Sequence, residues 1–331
     1  YLILDEQPTL IDTVKDYGFD EMLARIREVI DPAKIRYIVS NHTEMDHSGA
    51  IGLLLTHCPQ ATVVCSPKGQ EGLLRHFKAD WPLKVVQNGE TLSIGKRELT
   101  FVHMPMVHWP DSMATWSAAD RILFSNDAFG QHRASPERFA DEYGPDKVCA
   151  DAAKYYGNIV LPYGAQVLKV LEAVKTLPLD MICPSHGLIW RRSEDIERIA
   201  GLYRKWASHE TDPRALIVYD TMWHSTQLMA KRLYAGLEAA GVPVVLQNLQ
   251  TTHISDVVAQ VLSSRAVAFG TPILNNRMLP TMASLLMYLK GLKPKNRHAL
   301  TFGSYGWSMA GFKELEQSIA DAGFNLAAEG V

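Results

Sequence analysis

The stretch Ser40-Asn41-His42-Thr43-Glu44-Met45-Asp46-His47-Ser48-Gly49 directly follows a strand-like run at residues 35–39. It places four possible metal ligands within six residues, namely His42, Glu44, Asp46 and His47. Alternate side chains of an extended chain face the same side, so such a loop can surround a pair of metal ions. The sequence therefore predicts a metal site at the end of a buried strand.

Three further donors stand just past other predicted strands. His108 follows the strand-like residues 101–107, Asp127 follows 122–126 and His186 follows 181–185. Because strand ends at one edge of a layered sheet converge, we expect these donors to meet the loop in one pocket. The predicted ligands are His42, Glu44, Asp46, His47, His108, Asp127 and His186.

The donor set narrows the choice of metal. Four imidazoles and three carboxylates without a thiolate suit iron, manganese or zinc, and they argue against copper(I) or an iron–sulfur cluster. Seven ligands are too many for one ion, but they suit two ions if Asp127 bridges them. A lone histidine is more often an ordinary structural residue, whereas the joint pattern is hard to obtain from packing needs alone.

The chain divides at a polar segment, residues 208–214, in which we expect His209 to be a surface residue. We place one domain at 1–209 and a second at 210–331. In the second domain predicted strands alternate with predicted helices, which is typical of a doubly wound parallel sheet. These strands cover residues 215–219, 244–247, 266–269 and 299–302. In the first domain, Asn88-Gly89 predicts a tight hairpin.

Three loops that follow strands of the second domain form another predicted site. One of them opens a helix and offers hydroxyl and backbone N–H groups to an anion. The sequence lacks a Gly-x-Gly-x-x-Gly motif, which favours a monophosphate over a dinucleotide, and Tyr305 and Trp307 suit a flat ring system, so we predict FMN. The predicted cofactor-binding residues are Thr221, Met222, Trp223, His224, Ser225, Thr226, Thr271, Pro272, Ile273, Leu274, Asn275, Ser304, Tyr305, Gly306 and Trp307.

The composition argues against several classes of partner. With 331 residues and a formal charge of −3, the chain has no basic field for nucleic acid or an anionic membrane. No apolar run approaches the ~20 residues of a membrane-spanning helix. The four cysteines form no Cys-x-x-Cys pair, so a rubredoxin-type iron site within these residues is excluded and a reducing, cytoplasmic setting is expected.

The two sites together resemble those of the flavodiiron proteins, the A-type flavoprotein family. The family's His-x-Glu-x-Asp-His loop stands as residues 42–47, and its later ligands match His108, Asp127 and His186. The resemblance covers nearly the whole chain. It implies a metallo-β-lactamase-like αββα sandwich holding two irons, followed by a flavodoxin-like doubly wound parallel sheet holding FMN.

The resemblance also implies which donors share an iron. One iron is implied to be held by His42, Glu44 and His108, and the other by Asp46, His47 and His186, with Asp127 between them. A zinc hydrolase with a similar loop usually has histidine where this chain has Glu44. That exchange of nitrogen for oxygen favours redox iron over hydrolysis.

The implied activity is the reduction of dioxygen to water, of nitric oxide to nitrous oxide, or both, with electrons passing from a donor through FMN to the irons. The sequence does not rank the two gases. The implied donor is a separate partner, either rubredoxin or a reduced deazaflavin, and the implied assembly is a head-to-tail homodimer or a dimer of dimers. Two alternatives stay open, a dinuclear zinc hydrolase of the metallo-β-lactamase type and an FMN electron carrier without diiron catalysis.

The ends of the sequence suggest missing strands. The sequence starts at Tyr1 within a strand-like segment and stops at Val331 just after a helix-like segment. We therefore expect one or two strands to be missing before Tyr1 and the last flavodoxin strand to be missing at the other end. All the predicted ligands lie within the sequence.

Overall fold

The computed structural model of the protein describes residues 1–328 and 330. The chain divides into two compact units, one of Tyr1–Cys149 with Gln166–Gly201 and one of Ala150–Ala165 with Leu202–Val331. The domain boundary between residues 209 and 210 stays a prediction. Within the described residues, no helix has both the length and the apolar character needed to cross a membrane.

Two five-stranded sheets form the centre of the first unit. The first sheet contains β1 (Leu2–Ile3), β2 (Thr9–Ile11), β3 (Tyr37–Ser40), β4 (Thr62–Cys65) and β5 (Leu83–Val85) in that spatial order. The second contains β6 (Thr91–Ser93), β7 (Glu98–His103), β8 (Met113–Ser117), β9 (Ile122–Asn126) and β10 (Met181–Pro184), with β6 and β10 at its edges. In the first sheet only β1 and β2 pair antiparallel, whereas in the second only β9 and β10 pair in parallel.

The side chains of β3 alternate between two hydrophobic cores, because successive residues of a strand point to opposite faces. Ile38 belongs to a cluster with Leu23 and Leu54, which lie on helices over the outer face of the first sheet. Val39 belongs to a cluster with Phe101 of the second sheet, so the two sheets bury their inner faces against each other. The helices up to residue 207 are α1 (Phe19–Arg27), α2 (Met45–Ser48), α3 (Ile51–Leu55), α4 (Pro67–Phe77), α5 (Ala140–Tyr143), α6 (Pro145–Ile159), α7 (Gly164–Val174) and α8 (Ser193–Ala207).

The hairpin predicted at Asn88-Gly89 is wrong. These residues connect β5 to β6, but the two strands belong to different sheets. The chain does turn here, with Gly89 at a φ of 78°. A local turn motif reverses the chain without deciding which sheet the next strand joins, and burial of Leu92 in the core between the sheets draws β6 into the second one.

The second unit is a parallel sheet covered by helices, as predicted. Its strands are β11 (Asp212–Tyr219), β12 (Val244–Asn248), β13 (Ser264–Gly270), β14 (Ile273–Leu274), β15 (Arg277–Met278), β16 (His298–Phe302) and β17 (Asn325–Leu326). Its remaining helices are α9 (Ser225–Ala239), α10 (Ile254–Ser263), α11 (Pro280–Leu292) and α12 (Ala310–Asp321). The sheet order is β12-β11-β13-β16-β17 with every pair parallel, and β14 and β15 form a separate two-stranded ribbon. The chain adds β12 on one side of β11 and all later strands on the other side, beginning with β13. Ligands of such folds bind at this switch point, beyond the carboxyl ends of β11 and β13.

Two details of the second unit bear on the predictions. The fifth strand is present as the two residues Asn325–Leu326, which pair with β16. The sequence predicts His209 at the surface, but it is half-buried, and the charges of Arg297 and Lys295, which are far away in the sequence, lie near it in the fold. The polar composition of its neighbours in the sequence gave no sign of this burial.

Candidate metal centre and flavin site

The ligand loop is shaped by contacts at the end of β3. Asn41 is fully buried, and its backbone N–H donates to Asp12 Oδ1 at 2.8 Å. Thr115 of β8 donates through Oγ1 to Asn41 Oδ1 at 2.8 Å, which ties the loop to the second sheet. Glu44 then ends the extended segment as the N-cap of the one-turn helix α2. The loop therefore combines extended chain and helical turn, and both parts present ligands.

The other three predicted ligands come from the second sheet. His108 lies in the loop between β7 and β8, Asp127 directly follows β9, and His186 stands two residues past β10. All seven predicted ligands come together. Their donor atoms form two groups in which every pair lies within 4.8 Å, His42 with His108 and Asp127, and Asp46 with His47 and His186. Glu44 lies beside the first group.

Glu44 reaches both histidines of the first group. Its Oε2 lies 3.3 Å from His42 Nε2 and 3.4 Å from His108 Nε2. In the second group, Asp46 plays the corresponding part, with Oδ2 3.3 Å from His186 Nε2 and Oδ1 3.9 Å from His47 Nε2. Each group thus has two imidazoles and one terminal carboxylate around the same space.

Asp127 connects the two groups. Its Oδ2 lies 3.3 Å from His108 Nε2 and 3.7 Å from His42 Nε2. Its Oδ1 lies 3.2 Å from His47 Nε2 and 3.1 Å from His186 Nε2. One carboxylate oxygen therefore faces each group, which is the arrangement expected of a bridging ligand.

The residues fit a pair of cations. Donor atoms of both groups point at a common space, and two of them, His47 Nε2 and Asp46 Oδ1, are buried without a hydrogen-bond partner. Buried polar atoms without partners cost free energy unless something satisfies them, and a metal ion would do so. The oxygen and imidazole donors suit iron, and each group supplies enough ligands for one ion while leaving positions open. The assignment of the individual ligands stays a prediction, which this geometry supports.

Without metal, the imidazoles of the cluster favour their protonated form and the carboxylates their ionised form, because each faces the other. Burial lowers the pKa of His108, but the carboxylates of Asp127 and Glu44 more than offset it and raise that pKa to about 9. The pKa of His186 is likewise raised to about 9, since Asp127 and Asp46 outweigh its burial. Burial alone would raise the pKa of Asp127, yet the imidazoles around it hold it well below its usual range. Without metal, the cluster therefore retains protons that a cation must displace.

Two carboxylates behind the ligands were not predicted. Asp111 Oδ2 lies 2.9 Å from His42 Nδ1 and accepts the backbone N–H of Thr43 at 2.7 Å. Asp12 Oδ2 lies 3.7 Å from His47 Nδ1. Asp111 stands three residues after His108, and its position in this loop was a signal that could have identified it. Asp12 carries no such signal, because only the pairing of β2 with β3 brings it to the loop.

Trp109 is a third residue that sequence reasoning missed. Its ring packs edge-on against His42 with centroids 5.1 Å apart and lies 6.1 Å from the ring of His108. The residue is 37% exposed, so it forms a wall between the ligands and the surface. Its position next to His108 in the sequence was the available signal.

The predicted anion cradle lies between β11 and α9. Thr221 N–H donates to Asp220 Oδ1 at 2.6 Å, and Gln250 Nε2 donates to Thr221 O at 2.6 Å, so this part of the loop is fixed from both sides. Thr221 Oγ1 is buried without a hydrogen-bond partner. Thr226, at the start of α9, lies with its Oγ1 3.4 Å from Ser304 Oγ. Hydroxyls and a helix N-terminus with one unsatisfied buried oxygen suit a phosphate group.

A cavity of about 390 Å³ opens beside this cradle, within the size range of small-molecule sites. Trp223 and Trp307, which are 86% and 88% exposed, stand at its rim. The turn Asn275-Asn276, with φ angles of 52° and 62°, closes the ribbon of β14 and β15 at its edge. The cavity is lined by Met222, Trp223, Ser225, Pro272, Ile273, Leu274, Asn275, Asn276, Ser304, Tyr305, Gly306, Trp307 and Ser308.

Four predicted flavin contacts lie outside this lining. Thr221 and Thr226 are buried in the cradle itself. The hydroxyl of Thr271 donates to Pro272 O at 2.9 Å and accepts the N–H of Leu279 at 3.1 Å, so it braces the loop. His224 lines an adjacent cleft, which shares Trp223 and Ser225 with this cavity. Asn276 and Ser308 line the cavity and were not predicted.

Two sequence families match the chain, the ODP family beta lactamase over residues 1–187 and flavodoxin over residues 217–331. The nitric oxide reductase of Moorella thermoacetica is 42% identical over 99% of this chain and 83% of its own length. The rubredoxin oxygen:oxidoreductase of Desulfovibrio gigas superposes with a TM-score of 0.97 at 40% identity, covering 100% of this chain and 83% of that one. The flavodiiron protein from Giardia intestinalis superposes with a TM-score of 0.94 at 34% identity, covering 99% and 83%.

The chain is thus a two-domain protein with a metallo-β-lactamase-like αββα sandwich followed by a flavodoxin-like sheet, and both parts of the predicted fold are confirmed. It belongs to the flavodiiron protein family. This membership confirms the predicted class, an oxidoreductase, and the predicted cofactors, FMN and a pair of iron ions.

Proposed function

We propose that this protein reduces dioxygen to water, nitric oxide to nitrous oxide, or both, with electrons passing from a donor through FMN to the diiron centre. The observation that carries the proposal is Asp127, whose two carboxylate oxygens face different groups of ligands and so connect two metal positions. The names of the Moorella and Desulfovibrio relatives, a nitric oxide reductase and an oxygen oxidoreductase, support both gases without ranking them.

When bound, FMN supplies one-electron transfer and the iron pair supplies two adjacent positions for a diatomic substrate. The chain's own residues set charge and access at those positions. Asp127 is buried, with 2% of its side chain exposed, whereas Glu44 and Asp46 are 40% and 27% exposed. A small gas therefore reaches the cluster from the side of Glu44 and Asp46, while Trp109 covers the imidazole of His42.

The electron donor is a separate molecule in this proposal, either rubredoxin or a reduced deazaflavin. The Desulfovibrio relative is named for rubredoxin. The four cysteines of this chain are buried and free, and none forms the paired motif of a rubredoxin iron site. Mixing the oxidised protein anaerobically with each reduced donor, and following flavin bleaching, tests this part. Bleaching by neither donor would contradict it.

We also propose a head-to-tail homodimer, alone or as a dimer of dimers, in the cytoplasm. The two exposed tryptophans at the flavin cavity, Trp223 and Trp307, support an interface there, because large aromatic residues are seldom left so open. The free buried thiols support a reducing compartment. Gas consumption by a dilute sample shown to be monomeric would refute the requirement for a dimer.

The function is tested by anaerobic reduction of the purified protein followed by stopped-flow mixing with each gas separately. A flavin spectrum and about two irons per chain are expected before mixing, and reoxidation by at least one gas afterwards. Zinc alone, with turnover of an ester or a lactam, would instead support the dinuclear hydrolase. Full activity in variants lacking a ligand would support the simple electron carrier. The position of Glu44 between two imidazoles weighs against the first alternative.

A further inference from the structure

The two histidines of the ligand loop are built alike on their metal side. His42 and His47 have ring centroids 5.1 Å apart, and each directs Nε2 toward one oxygen of Asp127. Each also directs Nδ1 away from the metal space, toward a carboxylate behind the ring. The clearest difference between the two imidazoles is the distance to the carboxylate behind each ring.

His42 is anchored from behind. Its Nδ1 lies 2.9 Å from Asp111 Oδ2, within hydrogen-bond distance. Asp111 is itself fixed, since it accepts the N–H of Thr43 at 2.7 Å and its carbonyl oxygen accepts Ser66 Oγ at 2.8 Å. Ser66 in turn caps helix α4 by accepting the N–H of Gly69 at 3.0 Å. This chain of bonds fixes the plane of the His42 ring and the nitrogen that carries its proton.

His47 lacks a comparable anchor on its ring. Its Nδ1 lies 3.7 Å from Asp12 Oδ2, beyond hydrogen-bond distance. The oxygens of Asp12 serve other groups, the N–H of Asn41 at 2.8 Å and Ser185 Oγ at 3.3 Å. The backbone of His47 is held, because its carbonyl oxygen accepts Thr13 Oγ1 at 2.7 Å. Its ring is buried against the rings of His42 and His186, but Nδ1 has no carboxylate as close as the one behind His42.

We infer that the two metal positions bind iron unequally, with Asp111 as the positioning residue that makes the His42 position the tighter one. A carboxylate bonded to the rear nitrogen of a ligating histidine orients the ring and makes it more basic, and loss of such a partner typically weakens metal binding about 10–100-fold. The position at His47 lacks this support, so its iron leaves first. This inference rests on the proposed diiron function.

Solvent access does not set an order of release. Glu44, the terminal carboxylate of the first group, is 40% exposed, whereas Asp46, its counterpart in the second group, is 27% exposed. The histidines are ranked the other way, because His108 of the first group is 13% exposed and His186 of the second group is 23% exposed. Unequal release of the two irons would therefore not follow from exposure of the ligands.

The test is anaerobic release of ferrous iron from the full-length protein into a chromogenic ferrous chelator. The wild type should lose its iron in two phases of one equivalent each, whose rates differ at least about tenfold. Mössbauer spectra of ⁵⁷Fe protein taken after the fast phase should contain a single iron site. A single phase for both irons would overturn the inference, and this measurement needs no variant to fold.

Two matched variants assign the phases. Asp111→Asn keeps the shape of the side chain and should accelerate the slow phase about 10–100-fold, whereas Asp180→Asn, at an exposed ion pair with Arg121, should leave both phases unchanged. Retained FMN and an unchanged far-ultraviolet circular dichroism spectrum show that each variant is folded. Equal effects of the two substitutions, or an Asp111→Asn effect confined to the fast phase, would overturn the inference. A protein that binds fewer than two irons would refute the proposed function itself, whereas two irons released in one phase would refute only this inference.

Discussion

Buried charge is stabilised in different ways in the two units. In the first, the buried imidazoles of His42 and His47 face carboxylates, and each charged form is matched by an opposite one. In the second, Arg297 is fully buried and donates instead to main-chain oxygens, Val261 O at 2.7 Å, Leu262 O at 2.5 Å and Lys295 O. Two of these carbonyls end helix α10, where the negative end of the helix dipole also favours a cation.

The two predicted sites differ in the same way, since one is built from charged side chains and the other largely from the main chain and neutral groups. The metal centre is made of charged side chains whose identities specify it. The flavin site is made of hydroxyls, loop backbone and exposed rings, and its shape depends on where the chain turns. Side-chain chemistry is specific to residue type, whereas backbone placement tolerates many sequences. The comparison therefore predicts large effects of single substitutions in the first unit and smaller ones at the flavin site.

The largest effect is expected from Asp127→Ala. Removing the carboxylate that faces both ligand groups leaves four imidazoles without their common counter-charge, so iron is lost and gas consumption should fall at least about a hundredfold. FMN should stay bound, because the flavin cavity is lined by other residues. Asp180→Ala is the control, since the side chain of Asp180 forms an exposed ion pair with Arg121. An Asp127→Ala protein with the control's activity would contradict the bridging role.

Arg297→Met should have the next largest effect, on stability. The substitution leaves the buried carbonyls at the end of α10 without donors, which should lower the free energy of unfolding by about 3 kcal/mol. Urea denaturation of the full chain measures this. Arg121→Met, at an exposed ion pair, should cost less than about 1 kcal/mol. Equal costs would show that main-chain oxygens do not stabilise the buried cation.

His209 predicts a smaller, pH-dependent effect. Burial, with Arg297 and Lys295 nearby, lowers the pKa of His209 to about 4 from 6.5. The unfolded chain then binds a proton that the folded chain excludes, so stability falls as the pH is lowered from about 6.5 to about 4 and is retained above that window. The loss should reach up to about 2 kcal/mol after allowance for partial exposure. In the His209→Gln variant, the urea midpoint should depend less on pH between about 6.5 and about 4 than in the wild type. The same pH dependence in both proteins would contradict the lowered pKa of His209.

The smallest effect is expected at the flavin cradle, from Thr221→Val. The hydroxyl of Thr221 is buried without a partner, so it is free to donate to the flavin phosphate, and its loss should weaken FMN binding about fivefold to tenfold. Fluorescence titration of the flavin-free protein measures this. Riboflavin, which lacks the phosphate, should bind the variant and the wild type equally. Weakened riboflavin binding would instead indicate a distorted loop, and Thr251→Val controls for a hydroxyl outside the cradle.

The contrast between residue type and backbone placement also explains what the sequence could predict. All seven predicted ligands converge, because each is a metal-binding residue type placed at or just past a strand end. Asp12 was missed, since its approach to the loop depends on the pairing of distant strands. The Asn88-Gly89 hairpin failed because a turn motif carries no information about sheet membership.

The predicted flavin loops lie around one cavity, but which of their side chains line it is harder to predict. Side-chain directions there depend on backbone angles that the sequence does not state. His224 illustrates this, because its φ of 67° belongs to the left-handed region and its side chain lines an adjacent cleft rather than the cavity itself. Thr271 illustrates a second reason, since its hydroxyl is engaged within the loop itself.

A crystal structure of the iron-loaded protein, with anomalous diffraction recorded on both sides of the iron absorption edge, tests the metal centre most directly. We expect two iron peaks, one among His42, Glu44 and His108 and the other among Asp46, His47 and His186, with one oxygen of Asp127 on each. A single peak, or two peaks that Asp127 does not join, would contradict this arrangement.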